Sequence, residues 1–314
     1  MKYRIGADIG GTGIKVGIVD ENHAIVRRTS LKTPGTFEES MEALRDMVSE
    51  LAEQVGIKVS DLASVGVGAP STVNPKTGRL VFSNNTNWKD VPIMDVLRSL
   101  FPIPVYFGND ADCAVIGETL AGAARGRKHV LMITLGTGVG GGIIIEGKLF
   151  CGGDRQGAEI GHTPLIYNGK QCSCGIKGCL EAYASATALI EQTAEAISAH
   201  PESAMAAWVK ENGEINGKTA FECAKSGDET AIAVVEQYTS YVAAGLGGFI
   251  NTFRPDLIII GGGVSRAGDY LLDKIRSHLP ESTYAIDILG APELKTAMLG
   301  NDAGIIGAAF LDQM

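Results

Sequence analysis

The chain has 314 residues, enough for two domains or one large one at roughly 100–200 residues per domain. Its 36 acidic residues against 27 basic ones give a net charge of −9, which argues against nucleic acid or an anionic membrane as main partner, since either needs a basic surface. A hydrophobic content of 45% excludes a disordered chain, and 41 glycines (about 13%, against a usual ~7%) with no G-X-Y period exclude collagen and point to turns and close backbone approaches.

Met1-Lys2-Tyr3-Arg4 leads straight into a strand, with no apolar leader or cleavage site, so a cytoplasmic location is expected. A strand over residues 3–8, a turn at 10–13 and a returning strand over 14–19 form a hairpin. Met41, Leu44, Val48 and Leu51 recur at helical spacing, which predicts a helix near 37–55. A strand at 64–68 ends in Ala69-Pro70, and a helix at 93–100 precedes a strand at 104–107. Asn109-Asp110 then introduces a helix over 111–120. A second hairpin has a strand at 130–135, a glycine turn over 136–141 and a returning strand at 142–145. Helices are predicted over 180–199 and 229–253. The apolar run 257–260 is a buried strand, far short of the ~18 residues of a membrane span. It enters Gly261-Gly262-Gly263, and a helix at 303–311 closes the chain. Strands alternating with helices give an α/β class.

Two internal echoes suggest a duplicated core. Gly108-Asn109-Asp110-Ala111 recurs as Gly300-Asn301-Asp302-Ala303, and the two glycine hairpins form a second pair. In the first hairpin, Asp8 precedes Gly10, Gly11, Thr12 and Gly13. Glycines there let backbone N–H groups face a phosphate, Thr12 adds a hydroxyl, and Asp8 could face the hydrated Mg²⁺ that accompanies it. Taken alone, the same residues would serve a tight hairpin with no ligand. Gly136, Thr137 and Gly138 repeat the chemistry and favour the phosphate. Although 136–141 contains G-x-G-x-x-G, a strand follows it instead of a helix, so a dinucleotide fingerprint fails on context. Gly261, Gly262 and Gly263 leave room for a flat ring, or are simply the loop after a strand. The glycine excess thus gathers at 10–13, 136–142 and 261–263, with more at Gly157, Gly161, Gly175 and Gly178.

His162, Cys172, Cys174 and Cys179 form H-x9-C-x-C-x4-C. Three thiolates and an imidazole are a preferred tetrahedral set for structural Zn²⁺, and a closed set leaves no position for catalysis. The alternatives are a redox pair or free loop thiols, but C-x-C is tighter than the usual C-x-x-C. Cys113, Cys151 and Cys223 read as buried or incidental thiols, and no disulfide framework is expected.

Glu159-Ile160-Gly161-His162, followed by the run from Cys172 to Glu181, resembles the signature of the ROK family (repressors, open reading frames and sugar kinases). Asp8–Gly13, Asn109-Asp110, Gly136–Gly142 and Gly261–Gly263 occur in the order that family requires, so the resemblance spans nearly the whole chain. It implies an α/β, two-lobed actin-like ATPase (ribonuclease H-like) fold with a cleft between lobes. The expected small lobe is 1–112, completed by about 301–314, and the large lobe is 113–300. It further implies an ATP- and Mg²⁺-dependent hexose kinase, most similar to bacterial ROK glucokinases, that carries structural Zn²⁺ and forms a homodimer. Asp110 falls on the family's general base, although on its own it reads equally as a helix N-cap, a role that Asp302 would take in the second copy. Asn85, Asn109, Glu159, His162 and Glu181 fall on sugar contacts, with His162 also a zinc ligand, and Trp88 reads as packing.

Three departures from the family pattern stand out. Asp112 replaces an asparagine and adds charge beside Asp110, Thr86 replaces an apolar residue, and Gly13 stands where many relatives carry Lys or Arg, with Lys15 two residues on. The readings left open are kinases for N-acetylmannosamine, N-acetylglucosamine, fructose or allose, and a non-enzymatic sugar-responsive regulator. The regulator is disfavoured because the first strand begins at Tyr3 and leaves no room for a DNA-binding module.

Overall fold

The computed structural model describes residues 2–83, 86–153 and 156–313. The chain forms two compact units, one of Met1–Val130, Gly142–Ala158 and Met298–Met314, the other of Leu131–Gly141 and Glu159–Ala297. The first unit therefore extends past the expected boundary at 112 and keeps the whole helix that begins at Asp110.

In the first unit, β1 (Arg4–Ile9), β2 (Ile14–Val19) and β3 (Ile25–Leu31) form an antiparallel meander. Helix α1 (Phe37–Gln54) follows, opened by a capping box in which Thr36 and Glu39 satisfy each other's backbone N–H groups. Its buried Met41, Leu44, Val48 and Leu51 are the residues whose spacing predicted the helix. Next comes β4 (Val65–Ala69), buried throughout and parallel to β1. A small sheet of β5 (Thr72–Asn74), β6 (Arg79–Phe82) and β7 (Lys89–Val91) was not foreseen. Helix α2 (Ile93–Leu100) leads to β8 (Val105–Asn109), parallel to β4, and then to α3 (Asp110–Ala121). Trp88 is buried edge-on against Phe37, which confirms it as a packing residue.

A second sheet holds β9 (Val130–Leu135), β10 (Val139–Ile145) and β11 (Lys148–Leu149). The second unit, which takes Leu131–Gly141 of this sheet, continues through α4 (Glu181–Ala184), α5 (Ala186–Ala199), α6 (Ala204–Asn212) and α7 (Thr219–Lys225). The predicted helix 180–199 is split because Ser185 ends α4 and caps α5, accepting the Ala188 N–H at 3.0 Å. Helix α8 (Glu229–Phe253) is the long core helix, with buried Tyr238 donating its hydroxyl to the Ala184 carbonyl. The apolar strand β12 (Leu257–Gly261), then α9 (Asp269–His278), α10 (Ile286–Leu289) and β13 (Glu293–Thr296) complete this unit. The final α11 (Asp302–Ala309) belongs to the first unit.

The strand orders explain the internal echoes. One sheet runs β3-β2-β1-β4-β8 and the other β11-β10-β9-β12-β13, the same topology with elements in the same sequence order. In each copy the last strand leads through the Asn-Asp pair into a helix, α3 or α11.

Those two helices also account for glycines that the sequence reading did not place. A Cβ on Gly6 would overlap the Ile305 carbonyl, on Gly66 that of Ala308, on Gly117 that of Ala303, and on Gly307 that of Cys113. Helix α11 therefore lies with its backbone directly on β1, β4 and α3. Part of the glycine excess thus serves packing of α11 rather than turns.

Candidate active site

Within the first unit, the 10–13 turn closes the β1–β2 hairpin, with the Gly10 N–H donating to the Gly13 carbonyl at 2.9 Å. The Thr33 hydroxyl donates to the Gly10 carbonyl at 2.6 Å and fixes the turn from β3's side. Asp8 pairs in register with Lys15, whose Nζ stands 3.5 Å from Asp8 Oδ2. Burial pushes the Asp8 carboxyl above the usual carboxylate range, and the Lys15 ammonium pulls it partly back. A partly buried carboxylate near a strand end, beside a glycine turn, suits the hydrated dication of a nucleotide.

The expected Asn109-Asp110 pair lies at the junction of β8 and α3. Asn109 is the N-cap, its Oδ1 accepting the Ala111 N–H at 2.8 Å, while Asp110 is the first helical residue. Asp110 is therefore not the cap, although its Oδ1 also accepts from Ala111 at 3.0 Å. Both carboxylates of the first turn, Asp110 and Asp112, sit at the positive end of the helix dipole. The Cys151 Sγ lies 3.9 Å from Asp112 Oδ2. In the second copy, Asp302 is likewise no cap: Asn301 holds that position without a side-chain bond, and Asp302 pairs with Arg28 at 2.6 Å. Asn85 lies outside the described residues.

The second unit brings the cysteine–histidine set together. Its four ligand atoms all lie within 4.8 Å of one another. Cys174 and Cys179 sulphurs are 3.7 Å apart, and the Cys172 sulphur is 3.8 Å from His162 Nδ1. A tetrahedron with Zn–S bonds of about 2.3 Å has sulphur edges of about 3.8 Å, so the spacing fits zinc. Among the described residues no cysteine is disulfide-bonded. Burial and hydrogen bonds from the neighbouring thiols push the Cys179 thiol up to about 12, a crowding that a bound dication would relieve. With Nδ1 turned to the sulphurs, the opposite ring nitrogen of His162 is left for a second partner.

Glu181, at the start of α4, ties this loop to the second glycine turn. Its Oε2 accepts the Val139 N–H at 2.9 Å, and Oε1 accepts from Ser173 Oγ at 3.1 Å and lies 3.4 Å from Cys172 Sγ. A Cβ at Gly138 would overlap Glu181 Oε2, so this glycine also serves a carboxylate. The turn itself is only Gly136, Thr137 and Gly138, closed by Gly136 N–H to the Gly138 carbonyl at 3.0 Å. The expected turn residues 139–141 are already in β10, where Gly141 leaves room for the Ile160 side chain. The Thr187 hydroxyl donates to the Thr137 carbonyl at 2.8 Å. Glu159 is exposed and precedes a short 3-10 turn over Ile160–His162, which carries His162. At the third turn, Gly262 has φ +79° and presses on the Leu135 backbone, a conformation and a spacing that exclude side chains. Gly263 faces open space and lines a cavity of about 290 Å³ with Lys218, Phe221, Glu222, Val264 and Arg266.

The sequence reading left the Lys15–Asp8 pair and the Glu181–Val139 bond unassigned. The first was accessible from hairpin register, since 8 and 15 lie opposite each other across a four-residue turn. The second joins residues 42 apart and carries no local signal.

The ROK family model matches residues 4–314. A glucokinase of Halalkalibacterium halodurans is 36% identical over 319 residues, covering 99% of this chain and 94% of that protein. A glucokinase of Thermotoga maritima is 36% identical over 311 residues, with 98% and 96% covered. The crystal structure of a ROK family glucokinase from Streptomyces griseus in complex with glucose and AMPPNP superposes with a TM-score of 0.82 at 36% identity, covering 98% of both chains.

Proposed function

The chain belongs to the ROK family, and from that premise we propose that it transfers the γ-phosphoryl group of ATP to glucose, giving glucose 6-phosphate and ADP. Its fold is the two-lobed actin-like ATPase fold of the ROK sugar kinases. The observation that carries the reading is its match, over essentially full length, to a relative solved with glucose and a nucleotide triphosphate analogue.

Asp110 is the proposed general base. A sugar hydroxyl is a weak nucleophile, and a carboxylate in hydrogen-bond reach takes its proton as the oxygen attacks the γ-phosphorus and the bond to ADP breaks. Asn109, whose Oδ1 is held by the cap, would offer its amide N–H₂ to the same sugar. Glu159, Glu181 and the outer nitrogen of His162 are the proposed hydroxyl partners in the second unit, and Asn85 remains a proposed contact. The 10–13 and 136–138 turns would hold phosphate oxygens of MgATP, with Asp8 facing its dication, and 261–263 would lie under the adenine.

His162, Cys172, Cys174 and Cys179 would hold zinc. When bound, the ion cross-links the loop and fixes the histidine tautomer, and so the direction of its free nitrogen. A homodimer and a place at the entry of glycolysis, both carried by the family resemblance, and a cytoplasmic location complete the proposal.

The test is a coupled assay with ATP and Mg²⁺ across glucose, mannose, fructose, allose, N-acetylglucosamine and N-acetylmannosamine. Glucose is expected to give the highest kcat/KM. A higher value for another hexose would replace glucose as substrate, and no turnover with any sugar would sink the kinase.

A further inference from the structure

Glu118 is a fully buried carboxylate in the last turn of α3, at the negative end of the helix dipole, and among the described residues no cation pairs with it. Taking such a charge out of water is costly, and here backbone N–H groups offset the cost. Its Oε2 accepts the Ala123 N–H at 2.7 Å, and Oε1 accepts those of Met298 and Leu299 at 2.9 and 2.8 Å. A Cβ at Gly122 would overlap Oε2, so the glycine that ends the helix leaves the carboxylate its place. Met298 is where the chain returns to the first unit, just ahead of the Asn301-Asp302 pair that opens α11.

This grip controls a freedom that packing leaves open. Gly117 and Gly307 let the backbones of α3 and α11 touch, which fixes their separation but not their slide along one another. Two N–H bonds from the entry of α11 to one oxygen on α3 fix that slide. Each helix also carries a neighbour of the proposed chemistry. Helix α3 opens on Asn109 and Asp110, and a Cβ at Gly304 of α11 would lie 3.3 Å from Asp8 Cγ. Burial, and then the charges of Asp112, Asp110 and Asp8, push the Cys113 thiol well up, which puts these carboxylates around one residue of α3. Building on the kinase reading, we propose that Glu118 is a positioning residue: by holding Met298 and Leu299 it sets the register of α11 against α3, and with it the placement of the Asp8 carboxylate relative to Asp110.

The test compares Glu118→Gln and Gly122→Ala with the parent protein by steady-state kinetics and by calorimetric titration with ADP over a Mg²⁺ series. Glutamine has the same shape but one accepting oxygen, so its amide N–H₂ must face either Ala123 or the Met298–Leu299 pair. Gly122→Ala keeps the charge and crowds the carboxylate, and it carries the test if the glutamine variant does not fold. Each variant is expected to lower kcat about 10-fold or more and to raise the Mg²⁺ concentration for half-maximal ADP binding by a similar factor, with a smaller effect on KM for glucose. A lowered melting temperature with parental kcat and Mg²⁺ requirement would show a purely structural glutamate and overturn the proposal, as would a raised KM for glucose alone. If the parent protein phosphorylates no sugar, the kinase reading falls, while the Mg²⁺ requirement for ADP binding still decides whether Glu118 positions Asp8.

Discussion

Asp110 stands in the first turn of α3, with Asn109 as cap and Asp112 one residue beyond Ala111. As the proposed base, it loses its function if its carboxylate becomes an amide of the same shape. Asp110→Asn is expected to cut kcat by about 10²–10⁴-fold, the usual worth of positioned proton transfer, with glucose affinity within about threefold of the parent. Rapid-quench kinetics and a glucose titration check this together; unchanged kcat would remove Asp110 from its role. At this scale the sequence was informative wherever ligands are close in sequence. The gathering of His162 with the three cysteines was legible because those cysteines lie within eight residues and thiolate chemistry is specific. Asn109 and Asp110 were legible as a pair, but that Asn109 and not Asp110 caps α3 was not, until β8 and α3 were placed. The bond from Val139 to Glu181 was not legible, since it depends on how a loop folds back on a strand.

At the scale of elements, the loop from Glu159 to Glu181 joins the cysteine–histidine cluster to a glycine turn through one carboxylate. Disturbing the metal should therefore reach the sugar through His162 and Glu181. The purified protein is expected to contain about one zinc per chain. Chelation should raise KM for glucose about 10-fold or more while the melting transition of the first unit is little changed. A metal-free protein with parental KM would remove zinc from the site. Elements with a strong pattern were readable: α1 by its 3.6-residue apolar period, β12 by its unbroken apolar run, α8 by its length. Strand β3 was missed because Arg27, Arg28, Thr29 and Ser30 give an edge strand no apolar alternation, and strands of two to four residues such as β5, β7 and β13 are too short to show a period.

For the whole molecule, matching strand orders turn two short sequence echoes into a duplication of the core, and the helix ending the second copy is seated in the first unit. Its buried face, Ile305, Ala309 and Phe310, packs with Val19, and Arg4 reaches Asp312 at 2.9 Å. Deleting 298–314 should therefore unfold the first unit. The two tryptophans report this separately, Trp88 from the first unit and Trp208 from α6. In single-tryptophan variants of the truncated chain, Trp88 emission is expected to shift to that of a solvated indole. Native-like Trp88 emission would show that α11 is dispensable.

The seat of α11 also has a consequence in time. Strands β1 and β4 are synthesised early, yet the helix that lies against Gly6 and Gly66 is made more than two hundred residues later. At about 5–20 residues per second, a newborn chain waits on the order of 10–50 s with that bare glycine track open. A flat, apolar strip without protruding side chains is a surface on which a foreign strand or helix can settle. The contact that gives the finished unit its tight backbone packing is, on the ribosome, the one that arrives too late to guard it.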